Sequence, residues 1–253
     1  MSALSESLVL GRRAINETLR TPEAIIPTVF IPLFFLVVNI GQAAKTFPKG
    51  TPFLEGQNYG AFQLPSSLLL AASFGSAALF LVEDIEGGYF DKLRATPVSR
   101  TAIVLGRLVA EAVKTAAITI LLVLLALPFG IRIASGPVGF LLLVVLTAAW
   151  GVVFTGFMQL IALKTRSAAA TNSGGLVFFP LLFLTPNFVP RENLARAMEI
   201  AATYNPVTYI MEALRSLILD DFATAPLLRG VAVIAVAGVV MLWLNVKLIR
   251  DYD

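Results

Sequence analysis

The sequence predicts an all-α integral membrane bundle of six transmembrane helices, and three observations predict it. Hydrophobic residues make up 57% of the 253 and charged residues only 14%, against about one-quarter charged in soluble domains; the mean hydropathy is +0.83. Six runs of roughly 17 to 25 residues with few or no charges, long enough to cross about 30 Å of hydrocarbon as a helix, fall near 24–42, 62–82, 108–129, 138–163, 174–189 and 228–248. Stretches such as 121–127 and 140–146 are apolar on every face, whereas the strands of a membrane barrel alternate over about ten residues.

Taken in order, the chain begins with a charged segment in which Leu4, Leu8, Ile15 and Leu19 share one helical face while Glu6, Arg13, Glu17 and Arg20 occupy others. That pattern is either a helix lying flat in the interface or an ordinary charged leader before the first span. No apolar signal-peptide core precedes it, so the first span is expected to act as its own signal. Pro22 separates the two.

The loop after the second span runs from acids to bases, Glu83-Asp84-Ile85-Glu86-Gly87-Gly88-Tyr89-Phe90-Asp91-Lys92-Leu93-Arg94-Ala95-Thr96-Pro97-Val98-Ser99-Arg100. Gly87 and Gly88 allow a tight bend, residues 89–95 suit a short amphipathic helix, and Thr96-Pro97 ends it before Ser99 caps the next helix. Glu111 and Lys114 are expected about one turn into the third span, as a pair that neutralises itself near the interface. Residues 191–221 are too polar to span, yet Met198, Ile200, Ala201, Tyr209, Ile210, Leu214, Leu217 and Ile218 recur at near-helical spacing. A short helical hairpin broken at Asn205-Pro206 fits them. No repeat or linker divides the chain, so residues 1–253 are expected to form one domain.

Lys and Arg set the orientation, because basic loops stay cytoplasmic. With both termini inside, the inner side holds Arg12, Arg13, Arg20, Lys92, Arg94, Arg100, Arg107, Lys114, Lys164, Arg166, Lys247 and Arg250. The outer side holds Lys45, Lys49, Arg132, Arg191, Arg196, Arg215 and Arg229, several beside Glu or Asp. The expected location is therefore the cell membrane, multi-pass, with cytoplasmic termini. A net charge of +3 reflects this topology rather than a nucleic-acid patch.

The chemistry that the residues exclude is equally informative. Without Cys or His there are no disulfides, thiol nucleophiles or imidazole bases, and few ways to hold a transition metal. Nothing resembles a Gly-rich loop ending in Gly-Lys-Ser/Thr, so no ATPase site is expected on this chain. No acid pair within the spans suggests an ion-coupled carrier.

Two stretches resemble the permease subunits of the ABC type-2 transporter family, the group that includes the daunorubicin-resistance exporter permeases. The first is 83–107, an acidic-glycine signature followed by Leu93-x-x-Thr96-Pro97-Val98-Ser99-Arg100 and Leu105-Gly106-Arg107. The family often has Glu-Arg-Glu-x-Gly-Thr where this chain has Glu83-Asp84-Ile85-Glu86-Gly87-Gly88. The second runs from Phe179-Pro180-Leu181 through Phe183, Pro186 and Phe188-Val189-Pro190 to Asn205-Pro206-Val207-Thr208-Tyr209 and Glu212-Ala213-Leu214-Arg215.

The resemblance implies a membrane permease subunit, not itself an enzyme, in an ATP-driven exporter of an amphiphilic drug, antibiotic or lipid. Polysaccharide export through the same architecture, or an ATP-independent carrier or assembly factor, are the alternatives. Two copies of a separate ABC ATPase would bind ATP and Mg, no cofactor would sit on this chain, and a second permease chain would complete a homodimer. Residues 86–95 would form the coupling helix, with Glu83, Glu86, Gly87, Tyr89, Phe90, Leu93, Arg94, Thr96 and Pro97 at the ATPase contact. Residues 192–217 would be an outer re-entrant pair carrying Asn205, Pro206, Tyr209, Glu212 and Arg215. The route would follow the dimer seam, where Asn39, Gln63, Ser66, Ser67, Ser73, Asn172, Phe179 and Phe183 either line the pathway or pack helix to helix.

Overall fold

Apolar runs with no partner but each other and lipid can satisfy their backbone only as helices, and helices are what the chain forms. The structure, a computed structural model, describes residues 3–43, 45–74, 77–96, 98–220 and 222–250. In order the helices are α1 (Ala3–Leu19), α2 (Pro22–Ala43), α3 (Tyr59–Ser73), α4 (Ala77–Glu86), α5 (Tyr89–Arg94) and α6 (Arg100–Ala126). Then follow α7 (Gly136–Thr165), α8 (Ala168–Gly175), α9 (Phe178–Phe183), α10 (Arg196–Tyr204), α11 (Pro206–Leu219) and α12 (Thr224–Arg250).

Among the described residues five stretches are long and apolar enough to span a membrane, namely Ile25–Ala43, Tyr59–Glu86, Arg100–Phe129, Gly136–Thr165 and Thr224–Arg250. The run expected at 174–189 differs. It starts earlier, as α8, and breaks into α8 and α9 within Ala168–Phe183. Ser167 starts it by accepting from the Ala170 amide at 3.3 Å. Gly174-Gly175 then weakens the helix, and Pro180 fits only in the first turn of a new one, where its missing N–H is not needed. At 1.5 Å per residue the broken helix is shorter than the hydrocarbon core.

Around α3 the packing is densest: every residue from Tyr59 to Ser73 is buried, as is most of α11. Phe62, Leu68, Leu69, Leu122, Leu143, Trp150, Phe178, Ile210 and Leu214 form one core between α3, α6, α7, α9 and α11. A second cluster of Leu81, Val82, Phe90, Ile103, Val104, Leu108, Leu163 and Ile249 closes the end of the bundle that holds both α1 and the end of α12, here the termini face. Lipid tails are as apolar as these side chains, so close packing and interhelical hydrogen bonds hold the bundle together. Asn245 of α12 shows this, donating from a fully buried position to Gly156 O of α7 at 2.9 Å. Outward, α12 presents Leu228, Val236, Val239 and Trp243, a surface suited to lipid.

The third span begins earlier than expected. Ser99 caps α6 by accepting from the Ala102 amide at 3.2 Å, so Glu111 stands near the middle of the 27-residue helix rather than one turn in. It is only 1% exposed. Lys114 lies 2.8 Å away as an ion pair and the Thr115 hydroxyl donates to Glu111 Oε1 at 3.0 Å. One helical turn therefore neutralises its own buried charge.

Candidate functional site

At the termini face the acidic-glycine loop folds as a compact turn. The Gly87 amide bonds to Glu83 O at 2.8 Å and the Gly88 amide to Ile85 O at 3.1 Å. Gly88 then turns with φ +71°, a conformation that a side chain would resist. Tyr89–Arg94 follows as the short helix α5, ended by Thr96, whose hydroxyl donates to Leu93 O at 2.6 Å. Pro97 and the Arg94 side chain lie outside the described residues.

The burial of α5 tells which face is exposed. Phe90 is 1% exposed in the second core cluster and Leu93 packs half-buried against it, so both anchor the helix instead of projecting from it. Among the described side chains Tyr89, Asp91, Lys92, Ala95 and Thr96 are exposed. Tyr89 lies under the Arg13 guanidinium, 4.2 Å from its ring centre, a cation–π contact. Glu86 reaches elsewhere: its Oε1 accepts from the Ala168 amide at 3.2 Å, which ties the end of α4 to the start of α8 and offers a carboxylate to that helix N-terminus.

Against this turn packs α1. The small and polar face of α1, Ser7, Gly11, Ala14 and Thr18, is buried, while Leu8 is 55% exposed. Arg13 donates to both carboxylate oxygens of Asp84 at 3.2 and 3.3 Å, and Arg107 of α6 donates to the same carboxylate. Glu17 completes the group 3.8 Å from Arg13. Burial pushes the Glu17 carboxyl up from its ordinary value against the pull of Arg107 and Arg13. For Arg13 burial works downward, and the Asp84 carboxylate reverses it and holds the guanidinium above its ordinary range. The sequence reading missed this group. Asp84 stood within an acidic run and Arg107 within the quoted Leu-Gly-Arg, but nothing in their spacing pointed to α1.

Next to α8 lies a cavity of about 490 Å³, lined by Pro27 and Thr28 of α2, Leu70, Ser73 and Phe74 of the α3 end, Leu79, Met158, and Asn172, Ser173, Gly175, Leu176, Phe178 and Phe179. Its wall carries three phenylalanines and a few hydroxyl and amide groups, with no charged side chain among the described residues. That is the make-up of a site for a mostly apolar small molecule. Of the residues expected along a pathway, Ser73, Asn172 and Phe179 meet here. Asn39, Ser66, Ser67, Phe179 and Phe183 border a much narrower cleft together with Phe35 and Asn187. Gln63 borders neither; its amide donates to Tyr59 Oη at 2.7 Å and Asn187 O at 2.9 Å, joining α3 to the distal loop. Ser73 also accepts from Trp150 Nε1 at 3.0 Å.

On the face opposite the termini, α10 and α11 meet at Asn205. Its Oδ1 accepts from the Val207 amide at 3.0 Å and its Nδ2 donates to Leu181 O at 2.6 Å; Pro206 takes the first position of α11, where proline is pre-organised. Tyr209 Oη donates to Thr203 O at 2.7 Å. Glu212 receives a two-pronged bond from Arg191 at 3.1 and 3.2 Å. Arg215 is buried, stacked 3.6 Å from the Phe62 ring centre, donating to Phe62 O at 3.3 Å and Pro186 O at 3.1 Å. Lysine cannot reproduce that fork. Arg215→Lys is expected to cost about 1.5–3 kcal/mol and to lower the melting temperature of detergent-purified protein, whereas Arg196→Lys, whose side chain is 80% exposed, leaves it unchanged.

Comparison with known proteins identifies the family. The ABC-2 type transporter family model matches residues 5–219. The chain is 26% identical over 220 residues to the daunorubicin resistance ABC transporter permease protein DrrB1 of Streptomyces coeruleorubidus, covering 85% of this chain and 76% of that protein. It is 22% identical over 231 residues to the probable doxorubicin resistance ABC transporter permease protein DrrC of Mycobacterium tuberculosis, covering 89% and 81%. Permeases of this kind are membrane subunits that work with a separate ABC ATPase. With five apolar helices of spanning length and a family model matched over most of its residues, this chain is a multi-pass membrane protein and belongs to the ABC-2 type transporter family.

Proposed function

We propose that the protein is the permease subunit of an ATP-driven exporter that moves an amphiphilic small molecule out of the cytoplasm. The single observation that carries the reading is the phenylalanine-walled cavity between α2, α3, α4, α7, α8 and α9, with no charge among its described lining residues. A polysaccharide, rich in hydroxyl groups, would leave most of its hydrogen-bonding capacity unmet there, whereas a drug-like or lipid-like molecule would not. Similarity to permeases named for daunorubicin and doxorubicin resistance supports the same cargo class.

In this reading residues 1–253 form one domain with six crossings, α8 and α9 providing the fifth in sequence. The termini face is cytoplasmic, as the Lys and Arg distribution favours, and α1 lies in the interface. The segment from Glu83 through α5 to Pro97 is the coupling element that docks an ABC ATPase through Asp91, Lys92 and Thr96. Two ATPase copies bind ATP and Mg, and two permease chains pair as a homodimer. ATP closes the ATPases, α5 follows, and Glu86 conveys the motion to α8 at the cavity wall. The pair α10–α11 is an outer re-entrant hairpin.

Filling the cavity tests the cargo. Asn172→Trp places an indole at an exposed rim position without displacing the core. It is expected to reduce amphiphile-stimulated ATP turnover of the reconstituted complex at least tenfold, with ATPase capture unchanged. Undiminished stimulation at equal expression would exclude this cavity as the cargo site.

A further inference from the structure

We infer that α1, the α4–α5 turn and α6 move as one rigid arm, and that Asp84 and Arg107 are the positioning residues that make them one. The inference rests on reading α5 as the ATPase dock. It goes further in making α1 part of the lever rather than a float beside it.

Four contacts carry it. Asp84, 8% exposed, receives Arg107 of α6, itself 4% exposed, and both prongs of Arg13 from α1. Two bases thus converge on one buried carboxylate, with Glu17 adding the second negative charge. Arg13 simultaneously covers the Tyr89 ring at the first residue of α5. Toward the start of α1 from Gly11, Glu6 accepts from the Ser99 amide at 3.0 Å, so α1 also holds the backbone at the start of α6. Between these two ties the helices approach backbone to backbone: a Cβ on Gly106 would lie 2.8 Å from Leu10 Cβ and 3.1 Å from the Gly11 amide nitrogen.

A helix that only rests in the lipid interface needs an apolar face and nothing more. Here the lipid-facing residues are Leu8 and Val9, while the opposite face is small, polar and bonded to three other segments. Asp84 is the acceptor these bases share, so displacing that one buried carboxylate breaks the bonds to α1 and to α6 together. The contacts therefore behave as a single joint. When α5 is pushed, α1 and α6 are displaced with it, and α6 carries the motion into the bundle.

The absence of native Cys allows a direct test. Cysteines replacing Gly11 and Val109 have their Cβ positions 3.6 Å apart, within the range of a disulfide; the new Cβ at Gly11 also meets Gly106 O at 3.1 Å, so the reduced pair is first matched to the unsubstituted chain in transport. The rigid arm predicts that the oxidised pair, in proteoliposomes with its ATPase, transports within twofold of the reduced pair. Transport that stops on oxidation and returns on reduction overturns the proposal, because α1 would then have to slide along α6. The companion variant is Asp84→Asn, expected to keep ATPase capture while transport per ATP falls at least tenfold, with Asp84→Glu recovering a substantial part. A purely structural group would instead lower expression and ATPase capture together, with transport per ATP unchanged, and that result also overturns the proposal. Failure of the unsubstituted chain to retain any ATPase would defeat the docking role of α5, and is scored separately on that protein.

Discussion

Phe90→Ala is expected to abolish ATPase capture while leaving the spanning helices inserted. A six-residue helix cannot hold itself in water, since nucleation alone exceeds what one or two internal hydrogen bonds return. What holds α5 is Phe90, 1% exposed among Leu81, Val82, Ile103, Val104 and Leu108. Truncating a buried phenylalanine costs about 3–5 kcal/mol, more than so short an element can lose and stay folded. The docking positions Asp91, Lys92 and Thr96 would lose their common face. Recovery of the ATPase with the tagged permease should drop at least tenfold, with membrane expression near normal. A single substitution on the exposed face, Lys92→Ala, is expected to weaken capture far less, because one rim charge contributes little. Full capture by Phe90→Ala would remove α5 from the interface.

The second large effect is expected at Gly106. A leucine there would begin with a Cβ 2.8 Å from Leu10 Cβ and 3.1 Å from the Gly11 nitrogen and Ser7 carbonyl, and backbone atoms cannot rotate away. Overpacking alone costs about 1–3 kcal/mol, and displacing α1 also takes Arg13 and Glu6 from Asp84 and Ser99. Trypsin should then cut at Arg12 or Arg13 in sealed inside-out vesicles, where the native protein resists, and transport should fall at least tenfold. Gly41→Leu is the control, because a side chain at that position of α2 meets nothing within 4 Å. Equal protease resistance in both variants would show that α1 does not depend on this contact.

Much of the fold was legible because local rules and burial agree. The helix over α1, the short helix after Gly87-Gly88, the cap at Ser99 and the break at Asn205-Pro206 each follow from one or two residues whose chemistry permits little else. The helix start at Ser99 was legible, but that the apolar span takes in the turns before residue 108 was not. Arg107, Glu111 and Lys114 lower its hydropathy; the spacing of Glu111 and Lys114 already marks them as a self-neutralising pair, but only the fold reveals that Arg107 is met by Asp84 from another helix. The broken α8–α9 was obscured for the opposite reason: its residues are apolar enough to read as one span, and only Gly174-Gly175 and Pro180 betray the bend. For the proposed site, the sequence outlines the helices but not which of their faces are buried. Leu93 suits a contact helix in sequence, yet it turns inward because Phe90 one turn earlier sets the orientation of α5. Gln63 reads as a polar pathway residue, but a buried amide first seeks hydrogen bonds, and it finds them at Tyr59 and Asn187. The Arg13–Asp84–Arg107 group joins residues 71 and 23 positions apart, a juxtaposition that no spacing rule encodes.

The most direct test of the central claim is purification of the tagged chain in mild detergent, scored for a co-purifying ABC ATPase and for ATP turnover in the presence of amphiphiles and of oligosaccharides. The account predicts a stoichiometric ATPase whose turnover rises with amphiphiles and not with oligosaccharides. Reproducible purification without an ATPase, or stimulation by oligosaccharides alone, would contradict it.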